Sequence, residues 1–301
     1  MPSGSSAASS LSTGVGPDDG VPVSGAAAAE MSLPAPAAPA HEPPFSLVIM
    51  MDGWMARERG PHWGASPRKK APERIAWHEI KSAVIYRLEQ RAEKESGRGL
   101  LLEKNIVACP PATTPVDFGV AVEAEARRRG IGRAKLVYLV MDGAVWLWDL
   151  AEDRFRGAVK TLDFHHASEH LWAVGRALYG EGTAETALWV EKLLHRLRHG
   201  GQARVVRCLQ ELLDPASRRS AETQEVLERE AHYFKSHENH LNYKAIHRAG
   251  APIGSGAVES LGAQLQRRFR CSGQFWMRPG ITHLLKLAVL FRNHDDTHLW
   301  N

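Results

Sequence analysis

Cysteine is scarce in this 301-residue chain: there are three, Cys109, Cys208 and Cys271. They are odd in number, widely spaced and form no Cys-x-x-Cys pair, which argues against a disulfide framework and a cysteine zinc site and fits a reducing compartment. Long apolar runs are missing too. No stretch approaches the roughly 18 residues that a membrane span needs, so no membrane association is expected. A secretory signal would need a basic start and a continuous apolar core, and neither is present, so the expected location is cytoplasmic.

Positive charge and aromatic residues are both missing from residues 1–44, which hold Asp18, Asp19, Glu30 and Glu42 but no Lys or Arg. Ala, Gly, Ser and Pro dominate that tract, so it is expected to be a disordered tail. Setting its −4 aside from the formal +4 of the whole chain leaves +8 on residues 45–301. Fifteen histidines add positive charge below about pH 6.5. Such a balance attracts polyanions, nucleic acid first among them, although a generic basic surface accounts for the same numbers.

From Phe45 the texture changes. Ser46-Leu47-Val48-Ile49-Met50-Met51 is a buried-strand run with a turn predicted at Asp52-Gly53. β-rich runs follow around Trp77–Leu88 and Leu101–Ala108, and the spacing of Val116, Val120 and Ala124 predicts a helix over Pro115–Arg129. A second buried strand, Lys135–Met141, again ends in Asp-Gly, and a short strand over Ala158–Leu162 ends at Asp163. From Ala167 to about Tyr243 the pattern is helical, then a glycine-rich turn, Gly254-Ser255-Gly256, opens a helix to about Arg270, with a last helix over Ile281–Arg292. Strands alternating with helices predict an α/β fold with a helical subdomain.

Asp52 and Asp142 each stand where an apolar run ends, the edge at which α/β sheets place their sites. Asp-Gly is also simply a favoured turn pair. Glu259 opens a helix, where an acidic residue already suits the helix dipole. The glycines before it permit close approach of backbone, and Arg267, Arg268 and Arg270 after it suit a phosphate backbone. Three carboxylates can hold two divalent ions, and oxygen ligands imply Mg²⁺ or Mn²⁺. Asp163, His165, His166 and His170 form the densest polar cluster. His166 and His170 share a helical face at a spacing also used by zinc ligands, but the HExxH arrangement is absent. Supporting the carboxylates, positioning DNA and an ordinary helix start all remain open for Asp163, His166 and His170. Trp146 and Trp148, read as alternating along a strand exit, are expected in the core.

Met51-Asp52-Gly53, Met141–Trp148, Leu162–Trp172, Pro252–Ser260 and Arg268–Trp276, taken in that order, resemble bacterial insertion-sequence transposases of the ISKra type, within the DDE superfamily. The resemblance covers about residues 45–295. It implies a ribonuclease-H-like mixed sheet with flanking helices, interrupted by an all-α insertion before the last catalytic helix. The corresponding division is a tail over 1–44, a first core part over 45–170, the insertion over 171–249 and C-terminal core helices over 250–301. Asp52, Asp142 and Glu259 look like the catalytic, metal-holding triad. Implied with them are two Mg²⁺ or Mn²⁺ ions, DNA ends and target as partners, homo-oligomeric assembly on DNA and association with the nucleoid. Family members usually carry a sizeable DNA-binding region ahead of the first strand and often Lys where Arg270 stands, so the chain reads as an N-terminally shortened member. A catalytically inactive DNA-binding remnant and a zinc hydrolase built on His165, His166 and His170 are the alternatives.

Overall fold

The computed structural model describes residues 42–64, 74–93, 95, 99–214, 219–269, 271 and 274–296. The expected tail lies outside the described residues as far as residue 41, and so does Arg270. In chain order the first part contains β1 (Ser46–Arg59), β2 (Ile75–Arg87), β3 (Arg91–Glu93), β4 (Gly99–Leu101), β5 (Asn105–Cys109), α1 (Pro115–Arg128), β6 (Leu136–Met141), α2 (Val145–Arg154) and β7 (Val159–Leu162). Helices follow: α3 (Phe164–Tyr179), α4 (Ala184–Arg198), α5 (Gln202–Glu211), α6 (Ala221–Ser236), α7 (Tyr243–Arg248), α8 (Gly256–Phe269) and α9 (Arg278–Arg292).

Five strands form one sheet in the order β5-β2-β1-β6-β7. β2 is antiparallel to β1 and β5, while β6 runs parallel to β1 and β7. The fold is thus α/β, a mixed five-stranded sheet with flanking helices, compatible with the ribonuclease-H-like arrangement and interrupted by helices before α8. Both faces of β1 are buried, which is why its first half is a continuous apolar run rather than an alternating one. Leu47, Ile49 and Met51 pack with Phe118 and Val122 of α1 and Leu147 of α2. Val48 and Met50 face the other way, onto Val258, Leu261 and Leu265 of α8 and Leu285 of α9. A third core lies within α3–α7, around Leu171, Leu193, Leu209 and Phe234. The open edge of β5 is sealed by Asn293, whose side chain donates to the Ile106 carbonyl (2.9 Å) and accepts its N–H (2.8 Å), as a further strand would.

Two local expectations are corrected. The first strand does not turn at Asp52-Gly53; β1 continues to Arg59, paired with β2 out to Arg59↔Ile75. What stops there is its parallel partner, after Met51↔Met141. Beyond that register Trp54, Ala56 and Glu58 are buried while Met55 and Arg59 are exposed, so the strand alternates between a face packed under α8 and an open one. Trp146 and Trp148 are not on a strand exit but on α2, half-buried. The Asp142 carboxylate accepts the Ala144 N–H (2.8 Å) and turns the chain directly into that helix.

The helical insertion leaves and rejoins the sheet at one point. Asp163, fully buried after β7, accepts backbone N–H bonds from His165 (2.5 Å) and His166 (3.0 Å), capping α3. It also accepts the N–H of Ser255, 92 residues along the chain. Beside it the Phe164 N–H donates to the Ile253 carbonyl (3.0 Å). Replacing Asp163 by Ala strips three backbone donors of their acceptor, the Ser255 N–H buried and those of His165 and His166 partly so, and Asp163→Ala should cost about 2–4 kcal/mol of stability and Asp163→Asn less. Urea unfolding checks this, and a loss for Ala no larger than that of an ordinary surface change would show that the carboxylate does not hold the junction.

Candidate active site beside strands β1 and β6

Because Met51 lies beside Met141 in the parallel pair, Asp52 and Asp142 follow on adjacent strands spaced about 4.8 Å apart. Asp52 is half-buried, and its Oδ1 accepts the Gly53 N–H (2.7 Å). Asp142 is held from both ends. Its carboxylate takes the Ala144 N–H, and its carbonyl accepts the indole N–H of Trp148 (2.9 Å). Trp148 in turn lies against the rings of His237 (5.0 Å) and His240 (4.4 Å).

Glu259 stands in the first turn of α8, exposed, where Ser255 donates its hydroxyl to the carboxylate. α8 comes close to the strand because Gly262 meets Trp54, where a Cβ would sit 3.3 Å from the indole. The three carboxylates act on each other electrically. Burial first, then Asp142 and also Glu259, push the Asp52 carboxyl up to about 6, against the Gly53 N–H and His166, which pull it down.

Of the supporting residues, Asp163 acts through the junction, and His166 lends Asp52 positive potential. His170 turns elsewhere: its Nδ1 meets Glu230 of α6 (2.5 Å) and its ring stacks on Tyr233 at 3.7 Å. Burial alone would raise the Glu230 carboxyl, but bonds from His170 and Arg229 hold it below the usual range. The histidine cluster expected for zinc does not converge, since His165 and His166 both face Glu169 at 3.4 Å while His170 is committed to Glu230. Among the described residues no three His, Cys, Asp or Glu side chains, the carboxylate trio included, are drawn together tightly enough to hold a metal as they stand. Arg267 and Arg268 are exposed in the last turn of α8.

Sequence reasoning missed Tyr233. The residue is half-buried, but its hydroxyl is buried and has no hydrogen-bond partner among the described residues. Burial and then Asp142 push its ionisation well up. The ring lies against Gly143, where a Cβ would come within 2.4 Å of it. The glycine of this Asp-Gly pair is therefore a close-approach residue, and that requirement was the one trace of Tyr233 in the sequence.

No protein-family model and no curated protein matches this sequence. Among solved structures, the chain is similar to one in the Drosophila P element transposase strand transfer complex, with a TM-score of 0.35, 9% identity and coverage of 82% of this chain and 77% of that one. A likeness so remote carries nothing about chemistry.

The raised Asp52 carboxyl has a sign that can be tested. Ionising it in the fold costs free energy, so its contribution is favourable below about pH 4 and is lost as pH rises through about 6. In chelator, Asp52→Asn should therefore be more stable than wild type at pH 7.5 by about 1–3 kcal/mol, with the gap closing toward pH 4. Denaturation of both proteins across that range is the measurement. An Asn variant less stable than wild type at pH 7.5 would show that the carboxylate is not under repulsion.

Proposed function

We propose that this chain is a transposase-type enzyme that cleaves and transfers DNA strands, with Asp52, Asp142 and Glu259 as its catalytic carboxylates. The observation that carries the reading is the placement of Asp52 and Asp142 side by side where the parallel β1–β6 register ends, with Asp142 and, less, Glu259 adding to the burial that raises the Asp52 carboxyl. A purely structural cluster gains nothing from such repulsion. The donor set fits Mg²⁺ or Mn²⁺: it is all oxygen, and it creates the negative potential that a divalent cation relieves. Asp52, Asp142 and Glu259 would hold the metal. A divalent cation bound there supplies an activated attacking hydroxyl and offsets charge on the phosphodiester.

The chain's own residues contribute orientation. Ala144 N–H and Trp148 fix Asp142 in place. Asp163 fixes the start of α8, and hence Glu259, to the sheet. Arg267 and Arg268, exposed in the last turn of that helix, suit a phosphate backbone passing the carboxylates. The partners in this reading are DNA ends and a DNA target, with assembly into a homo-oligomer on the DNA. The ISKra-type resemblance is the reason for choosing transposition over other phosphodiester chemistry. Among the described residues no helix is long and apolar enough to cross a membrane.

A second reading, a DNA-binding chain without chemistry, is favoured by one observation: Glu259 is engaged by Ser255 and the three carboxylates are not gathered. One variant separates the two. Asp142→Asn should abolish Mg²⁺- or Mn²⁺-dependent nicking of DNA while leaving affinity in chelator unchanged or slightly higher, because a negative charge near the phosphates is gone. Nicking at wild-type rate in the variant removes Asp142 from the site, and no nicking by wild type with either metal supports the second reading.

A further inference from the structure

The helical insertion carries a second concentration of positive charge, away from α8. A cleft of 600 Å³ lies between the end of α4 and α7, and five of its seven lining residues are Arg198, His199, Lys244, His247 and Arg248. A neighbouring cleft of 470 Å³ between α4 and α5 shares His199 and adds His195, Arg196 and Arg204. The two therefore form one tract over three helices. Among the described residues no carboxylate pairs with Arg198, Lys244 or Arg248; Arg198 instead lies 4.6 Å over the ring of Phe164.

Two ordinary explanations fall short. Basic residues suit helix C-termini, and α4 and α7 both end here, but two helix ends supply about one negative charge in total against three permanent positive ones. A generic soluble surface intersperses its charges. Here they are sorted by face: Glu185 and Glu191 of α4 and Glu211 of α5 are exposed on the same helices, yet none of them lines either cleft. Small-molecule pockets carry only a few charged groups, whereas Arg, Lys and His make up most of the residues lining these two clefts, although much of the surface they present is the carbon of their stems, and the clefts share His199. An extended polyanion fits that shape and charge.

We infer that this tract is a second DNA-binding surface, on which Arg198, Lys244 and Arg248 contact the phosphate backbone of a duplex. It is placed to act with the candidate site, since Ile253, which lines the larger cleft, is two residues from Ser255 at the insertion's junction with α8. The choice of DNA as the polyanion rests on the proposed function; the surface itself needs no catalysis.

The test is binding of the full chain to a random-sequence DNA duplex in chelator, as a function of salt. Arg198→Ala/Lys244→Ala/Arg248→Ala should weaken binding at least about tenfold at physiological salt and lower the log–log salt slope by about two to three, as expected for that many lost phosphate contacts. Arg198→Lys/Arg248→Lys, which keeps the charge, should retain most of both. Arg267→Ala/Arg268→Ala should lower the slope further when combined with the triple change. An unaltered affinity and slope in the triple variant overturns the inference, and so does equal loss in the lysine variant, which would mean that these arginines hold structure. Adding a nucleoside triphosphate at fixed ionic strength provides the last arm. Saturable triphosphate binding that depends on the three residues while duplex binding does not would overturn it in favour of a small phosphorylated ligand. Because no metal is present, a protein that never nicks DNA but shows these slopes keeps this surface and loses the catalytic reading; nicking with unaltered slopes does the reverse.

Discussion

The carboxylate of Asp163 holds together two parts of the molecule that the chain separates by 92 residues. It is fully buried, yet it takes its hydrogen bonds from main-chain N–H groups, from α3 on one side and from Ser255 on the other. Three backbone N–H bonds offset the cost of burying the group, with no counter-charge bonded to it among the described residues. The position of Glu259 follows from it. Ser255 is tied to Asp163 through its backbone and to Glu259 through its hydroxyl, so the junction and the third carboxylate belong to one chain of contacts. The first two carboxylates are placed differently, by the β1–β6 register and local hydrogen bonds.

Repulsion and support are divided between different layers. Asp52 bears the cost of burial and, after it, of its acidic neighbours, while Asp142 is braced by Ala144 and Trp148, and Trp148 lies against His237 and His240. The ring of Tyr233 fills the space beside Gly143, and its hydroxyl has no hydrogen-bond partner among the described residues. The insertion is thus one wall of the candidate site. That wall helps to explain how acidic groups can influence each other here, since exposed charges at similar separation would be screened.

Much of this was legible in the amino-acid order, and the exceptions share a cause. Strands β1 and β6 declare themselves because they are largely buried on both faces and so appear as apolar runs, whereas β7, the short edge strand, carries Lys160 and Thr161. The positions of Asp52 and Asp142 at the register where those runs end follow from the same property. What failed were inferences from a residue pair to its local shape. Asp52-Gly53 has the composition of a turn but lies inside a strand, because β2 continues to pair with β1 after β6 has departed. Trp146 and Trp148 alternate as strand residues do, yet the Asp142 carboxylate starts a helix beneath them. Tyr233, Glu230 and the role of Trp148 were out of reach because they depend on how α6 docks against α2 and α3, which no periodicity within a single segment encodes.

The separation bridged by Asp163 has a consequence for how the protein is made. One face of the sheet, including Val48, Met50 and Val140, is covered by α8 and α9, which a ribosome produces only after the whole insertion. At about 5–20 residues per second, the sheet's strands wait on the order of 5–20 s with that apolar surface bare. The core of the insertion is largely its own, so α3–α7 can collapse in the interval without help from the sheet. The nascent chain is most exposed to misassociation during this period, which ends only after Ser255 has been followed by α8 and α9 and they cover that face.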